Sequence, residues 1–178
     1  MALHLVLLRG INVGSHNRLA MPALREALEG AGFEDVRTHL QSGNVLLTST
    51  ASSKRVAADC EKLIQARFGL EIPVVVRSGR ELAAVVRRDP LGEVAVDPKR
   101  YQVSFLTARP DAGVEDRLSA AAAASERFVV AGREIYAWHP DGIGRSKLWA
   151  LLAGKGLGVT ATARNWTTVT KLLELAGG

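Results

Sequence analysis

Two short polar segments, Arg9-Gly10-Ile11-Asn12 and Gln41-Ser42-Gly43-Asn44, hold residue types suited to gripping an anion. Arginine presents a rigid charged fork that matches phosphate or carboxylate, and asparagine and glutamine offer donors and acceptors together. Gly10, Gly14 and Gly43 let main-chain amides approach a ligand. The first candidate set is therefore Arg9, Asn12, Gln41, Ser42 and Asn44. The competing reading is that Gly43 and Asn44 serve hairpin-turn geometry and that Arg9 is a solvated strand end. A second segment, residues 141–147, sets glycines ahead of Arg145, Ser146 and Lys147 at a helix start, where free amides and the helix dipole favour negative charge. Its spacing is neither that of a phosphate-binding P-loop nor that of a dinucleotide fingerprint, and a turn capped by Ser146 or Asp141 accounts for it equally well. In a third, residues 160–168, Thr162 is placed to cap the last helix, with Arg164 and Asn165 in its first turn and Trp166 turned inward. An arginine there opposes the helix dipole, so either a carboxylate of the chain or a ligand anion is expected beside it.

Other chemistries find little support. His4, His16, His39 and His139 are scattered without HxxxH or HExxH spacing, so neither a metal nor a cofactor is expected. Cys60, the one cysteine, falls on an apolar helix face and reads as an inert buried thiol, which also favours an intracellular, cytoplasmic protein. Ser42 and Ser146 have no base beside them in sequence. His139 near Asp141 is the best acid/base pair, set against a plain His-Pro-Asp-Gly turn. No base and nucleophile pair up, so no reaction type follows.

The elements that must position these residues alternate along the chain. Residues 4–8 are β-prone, residues 10–20 form a Gly/Asn/Ser-rich loop, and residues 21–30 carry Met21, Leu24 and Leu28 on one helical face. Residues 36–40 and 45–48 read as strands of a hairpin. Residues 53–68 return to helical spacing, with Val56, Cys60, Leu63, Ile64 and Phe68 inward, and residues 72–77 are a fourth strand. A further helix, with Leu82, Val85 and Val86 inward, ends at Asp89-Pro90, and residues 91–99 read as a linker. Beyond it lie a strand (101–106), a helix (114–125), a hairpin (128–130 and 135–138) and two closing helices. The expected fold is α+β, a duplicated ferredoxin-like arrangement of βαββαβ followed by βαββαα, with half-domains at 1–90 and 91–178. The first strand, apolar on both faces, is expected to be buried on both sides. In such a unit the loop leaving the first strand and the hairpin between the second and third share one sheet edge, which makes the first two polar segments neighbours.

The chain of 178 residues is 47% hydrophobic and 23% charged, with 23 Lys+Arg against 18 Asp+Glu. That length can bury a core without metal or disulfide. The excess of +5 divides into +3 over residues 1–89 and +2 over residues 90–178, with no basic run, which is a weak footprint for a nucleic-acid binder. GC-rich coding, which favours Arg and Ala, yields the same balance. The apolar residues 2–8 have no basic segment before them and read as a strand, not a signal peptide. No stretch approaches the roughly 18 apolar residues of a membrane helix, so no membrane partner is expected.

Leu7-Leu8-Arg9-Gly10-Ile11-Asn12-Val13-Gly14, Gln41-Ser42-Gly43-Asn44-Val45, Gly144-Arg145-Ser146-Lys147-Leu148 and Thr162-Ala163-Arg164-Asn165-Trp166-Thr167-Thr168-Val169 resemble the signature segments of a bacterial family, domain of unknown function 1697. The resemblance implies a duplicated ferredoxin-like fold and no established activity. Its characteristic polar positions fall here on Arg9, Asn12, Gln41, Ser42, Asn44, Arg145, Ser146, Lys147, Arg164 and Asn165. The chain departs from the usual pattern at Ser15, where many members have Gly, and at Thr167, where many have Asn.

Three functions compete. The favoured one is binding of a small phosphorylated or carboxylated ligand between the halves by Arg9, Arg145, Lys147 and Arg164. A nucleic-acid binder of RRM-like geometry is weakened because the first and third strands lack aromatics for base stacking. The third is a non-catalytic interaction module. Oligomeric state does not follow from the sequence.

Overall fold

The computed structural model describes residues 1–178. The elements run β1 (Ala2–Leu8), α1 (Met21–Gly30), β2 (Glu34–His39), β3 (Asn44–Ser49), α2 (Ser53–Phe68), β4 (Val74–Ser78), α3 (Gly79–Arg88), β5 (Tyr101–Leu106), α4 (Val114–Ala121), β6 (Arg127–Ala131), β7 (Glu134–Trp138), α5 (Lys147–Ala153), β8 (Ala161–Asn165) and α6 (Trp166–Leu175). Two compact units result, one of Met1–Ala84 with Leu172–Gly178 and one of Val85–Lys171, so the divisions fall inside α3 and α6. Each holds a four-stranded antiparallel sheet, ordered β2-β3-β1-β4 and β6-β7-β5-β8. The expected duplicated ferredoxin-like architecture is present.

In the first unit, alternation along the strands sends Val6, Leu8, Val45, Leu47, Val74 and Val76 into a core with Leu24 and Leu28 of α1 and Val56, Cys60 and Ile64 of α2. Each such side chain contributes roughly 1.5–3 kcal/mol when fully buried. The opposite face, with Leu5, Leu7, Leu46 and Val75, is also buried, as expected of a first strand apolar on both sides. Helix α2 starts at Ser52, whose hydroxyl accepts the Arg55 N–H, and stops at Gly69, whose φ of +67° suits the left-handed cap. In the second unit Leu106, Ile135, Ala137 and Ala161 of the sheet pack on Leu118 of α4 and Leu148 and Leu152 of α5.

The second half differs from expectation in one element. Residues 161–165 are a strand, β8, paired with β5, so the order is βαββαβ followed by a helix, as in the first half. Thr162 is consequently not a helix cap. Asn165 is, its Oδ1 accepting the Thr168 N–H at 2.9 Å. Arg164 sits in the strand, and no dipole opposes it there. Ala161 and Ala163 carry little strand propensity, so pairing with β5 decided the conformation. Helix α4 also ends earlier than expected, at Ala121. The Glu126 carboxylate accepts the Ala123 N–H at 3.0 Å and folds residues 123–126 into a turn, overriding the helix propensity of the alanine run.

The two halves match hydrogen bond for hydrogen bond at the sheet edge that carries the loops. Leu8 N donates to Gly43 O as Leu106 N donates to Arg133 O, both at 2.9 Å. Arg9 N donates to Pro73 O as Thr107 N donates to Thr160 O. Register makes Arg77, opposite Leu5, the counterpart of Arg164, opposite Val103. The residue after each arginine caps the next helix: Ser78 Oγ accepts Glu81 N at 3.2 Å, and Asn165 accepts Thr168 N.

Candidate functional site

In the first unit the loop after β1 and the β2–β3 hairpin do meet, and Asn12 joins them. Its Nδ2 donates to Leu19 O at 2.9 Å and to Gln41 O at 2.7 Å, while its Oδ1 accepts the Leu19 N–H at 2.9 Å. Both amide hydrogens are thereby used. A second asparagine closes the same loop, with Asn17 Nδ2 on Gly10 O at 3.2 Å and Asn17 O accepting Asn12 N–H at 3.1 Å. Both asparagines have positive φ, 54° and 48°, which this residue tolerates better than most.

The hairpin is equally constrained. Asn44 is fully buried, and its Nδ2 donates to His39 O at 2.8 Å and Ser42 Oγ at 3.1 Å. Gly43 has φ +89°, and a Cβ there would stand 2.7 Å from Ile11 Cδ1 and 2.8 Å from Leu8 Cβ. Gly43 and Asn44 thus serve the turn, and the turn packs against Ile11 of the neighbouring loop. Gln41 and Ser42 are exposed and Arg9 is half-buried.

In the second unit Arg145 and Lys147 are exposed and flank Ser146, the cap of α5. Ser146 belongs to a buried polar cluster that sequence inspection did not reveal. His139 is wholly buried and its Nδ1 lies 2.5 Å from Glu126 Oε2. Ser146 Oγ donates to the same oxygen at 2.6 Å and accepts the Trp149 N–H at 2.9 Å. Asp141, the expected partner of His139, instead accepts from Ser125 Oγ at 3.1 Å. Serine, histidine and glutamate together suggest a hydrolytic triad, but the geometry is wrong for one. A catalytic serine must face the ring nitrogen that the carboxylate leaves free. Here Ser146 Oγ approaches the same Nδ1 at 3.4 Å and gives its proton to Glu126, while His139 Nε2 is buried without a partner. Burial raises the Glu126 pKa, but hydrogen bonds from Ser146, Ala123 and His139 outweigh it and hold the carboxyl below its ordinary value. The cluster is a clip between the start of β6, the end of β7 and the start of α5. Glu126 gave no signal because its partners stand 13 and 20 residues away.

Arg164 is 7% exposed, with its guanidinium donating to Thr162 Oγ1 at 2.7 Å and Ala163 O at 2.8 Å. Loss of hydration lowers its pKa to about 10. Arg77, the equivalent residue, is 1% exposed and was not singled out from the sequence, although the shared Arg-Ser and Arg-Asn steps before a helix were there to be aligned. Cys60 is the buried thiol expected, raised to about 12 by burial and by Asp59 and Glu61.

The second sheet does carry aromatics on its first and third strands. Tyr101 and Tyr136 are nevertheless 1% and 0% exposed, and the Tyr101 ring stacks on Trp166 at 4.8 Å between centroids. Tyr101 OH donates to Asp89 Oδ1 at 3.1 Å and Tyr136 OH to Val85 O at 2.8 Å. The chain's own side chains occupy the platform on which an RRM stacks bases.

No helix is long and apolar enough to cross a membrane, and no group of three or more His, Cys, Asp or Glu is placed to hold a metal. A family model described as "Protein of unknown function (DUF1697)" matches residues 1–136. Among solved structures the chain is similar to a conserved bacterial protein from Streptococcus pneumoniae, at 23% identity and a TM-score of 0.79, with 97% of each chain covered. No curated protein matches it.

Proposed function

This chain belongs to the bacterial DUF1697 family of proteins of unknown function, and from that premise we propose that it binds a small anionic ligand, phosphorylated or carboxylated, through its Arg/Asn/Gly segments. The observation that carries the reading is the Asn12 clasp. It holds the loop after β1 against the hairpin by three side-chain hydrogen bonds, and a loop fixed in this way costs less to order on binding. Arg9 flanks that loop, and Arg145 and Lys147 stand exposed beside the α5 cap as a second set of cations. The ligand-binding residues in this reading remain Arg9, Asn12, Gln41, Ser42, Asn44, Arg145, Ser146, Lys147, Arg164 and Asn165, with Asn12, Asn44, Ser146 and Asn165 acting by shaping loops and helix starts. We read residues 1–90 and 91–178 as two copies of one unit, supported by the matched edge hydrogen bonds. A cytoplasmic location accords with a single buried thiol.

A thermal-shift screen against nucleotides, sugar phosphates and carboxylates tests the reading. A ligand at 100 times its dissociation constant adds about 2.7 kcal/mol of stability and raises the melting temperature. The absence of a shift with every anion, each at millimolar concentration, removes it.

A further inference from the structure

The asparagine clasps leave one stretch of main chain unspent. Gly10, Asn12 and Gly14 have φ of +67°, +54° and +59°, with no positive φ at Ile11 or Val13 between them. Alternation of the sign of φ over successive residues is the backbone pattern of an anion-binding nest. The N–H groups of Gly10, Ile11, Gly14 and Ser15 donate to no acceptor in the protein. A Cβ built on Gly10 or Gly14 would meet nothing within 4 Å, so the space beside them is open. Residues 9–20 include Arg9, His16 and Arg18 and no carboxylate. Arg18 is exposed and forms no ion pair.

We infer that residues 10–15 form a phosphate seat, in which these main-chain amides receive the terminal oxygens of a phosphomonoester and Arg18 supplies the opposing charge. The inference rests on the anion-binding reading above and narrows it to one loop, one unit and main-chain donors. Side-chain amides are not the recognition groups here, because Asn12 and Asn17 spend theirs holding the loop. A phosphate has three terminal oxygens for four amides and a guanidinium; a carboxylate has two and leaves donors unmatched.

Amide-resolved NMR titration of the full chain with inorganic phosphate, glycerol phosphate and acetate, against chloride at equal ionic strength, reads the site directly. The expected result is saturable shifts centred on Gly10, Ile11, Gly14 and Ser15 with both phosphates, at least fivefold tighter than with acetate. Arg18→Gln should weaken phosphate binding at least threefold without moving the melting temperature, and Ser15→Pro, which deletes one donor, should weaken it further. If Ser15→Pro fails to fold, the wild-type titration still decides. Saturable shifts centred elsewhere, for example on residues 144–148, with this loop unmoved overturn the seat and leave the anion-binding reading standing. Shifts no larger than those in chloride overturn both.

Discussion

Asn12 donates one side-chain hydrogen to Leu19 O within its own loop and the other to Gln41 O across in the hairpin. The relationship between Asn12 and Gln41 converts two connections at one sheet edge into a single rigid feature. Replacing Asn12 by Ala deletes three hydrogen bonds, including the one its Oδ1 accepts from Leu19 N. At roughly 0.5–1.5 kcal/mol each, the expected loss is about 2–3 kcal/mol. Denaturant midpoints measure it, and hydrogen exchange should rise in residues 10–19 and 40–43 before the rest of the unit. Uniform exchange across the unit would show that the clasp does not hold the loops.

Gly43 and Gly132 occupy the tips of equivalent hairpins with φ of +89° and +64°. Their surroundings differ: a Cβ at Gly43 would collide with Ile11 and Leu8, whereas at Gly132 it would meet nothing within 4 Å. Gly132→Ala should cost about 1–2 kcal/mol, the left-handed backbone penalty alone, and Gly43→Ala at least about 1 kcal/mol more because overpacking adds to it. Equal costs would mean that the Ile11 contact yields freely.

Glu126 makes stability depend on pH with a defined sign. Its carboxyl is held below the ordinary 4.5 in the folded protein, so in the window beneath 4.5 the unfolded chain binds the proton more readily. The stabilisation is complete above 4.5 and is lost as pH falls through the lower folded value. Glu126→Gln should be less stable at pH 7 and should show a flatter loss as pH falls below 4.5. Parallel profiles for the two proteins would assign the acid sensitivity to other carboxyls.

Arg164 is positioned to hold structure as well as charge. Arg164→Ala removes at least two charge-assisted hydrogen bonds, at roughly 1.5 kcal/mol or more each, so a stability loss of at least about 3 kcal/mol is expected. Arg77→Ala, its counterpart in β4, should behave alike. Thermal or chemical unfolding measures both, and a stable Arg164→Ala protein that has lost only anion binding would contradict the structural assignment.

Cys60 should resist a disulfide reagent at pH 8 in the folded protein and react at once in denaturant, since burial and two neighbouring carboxylates push the thiol to about 12. Rapid reaction without denaturant would show that α2 opens readily.

Periodicity and topology carried most of this fold in the sequence alone. The continuous valine and leucine runs of β1, β3 and β4 and the spacing of Val56, Cys60 and Ile64 each satisfy one geometry, so local pattern and burial agree. The βαββαβ order by itself places residues 9–12 beside residues 41–44. Three things awaited the tertiary structure. Strand β8 has alternating alanines and an arginine and becomes extended only because β5 offers an unpaired edge. Glu126, His139 and Ser146 converge because β6, β7 and α5 bring three separated positions together, and no spacing rule encodes that. The side-chain amides of Asn12 and Asn44 turn inward to main-chain carbonyls, a choice that residue type alone leaves open. Residue type states what a side chain is able to bond, and the packed chain decides whether the nearest partner is its own backbone or solvent.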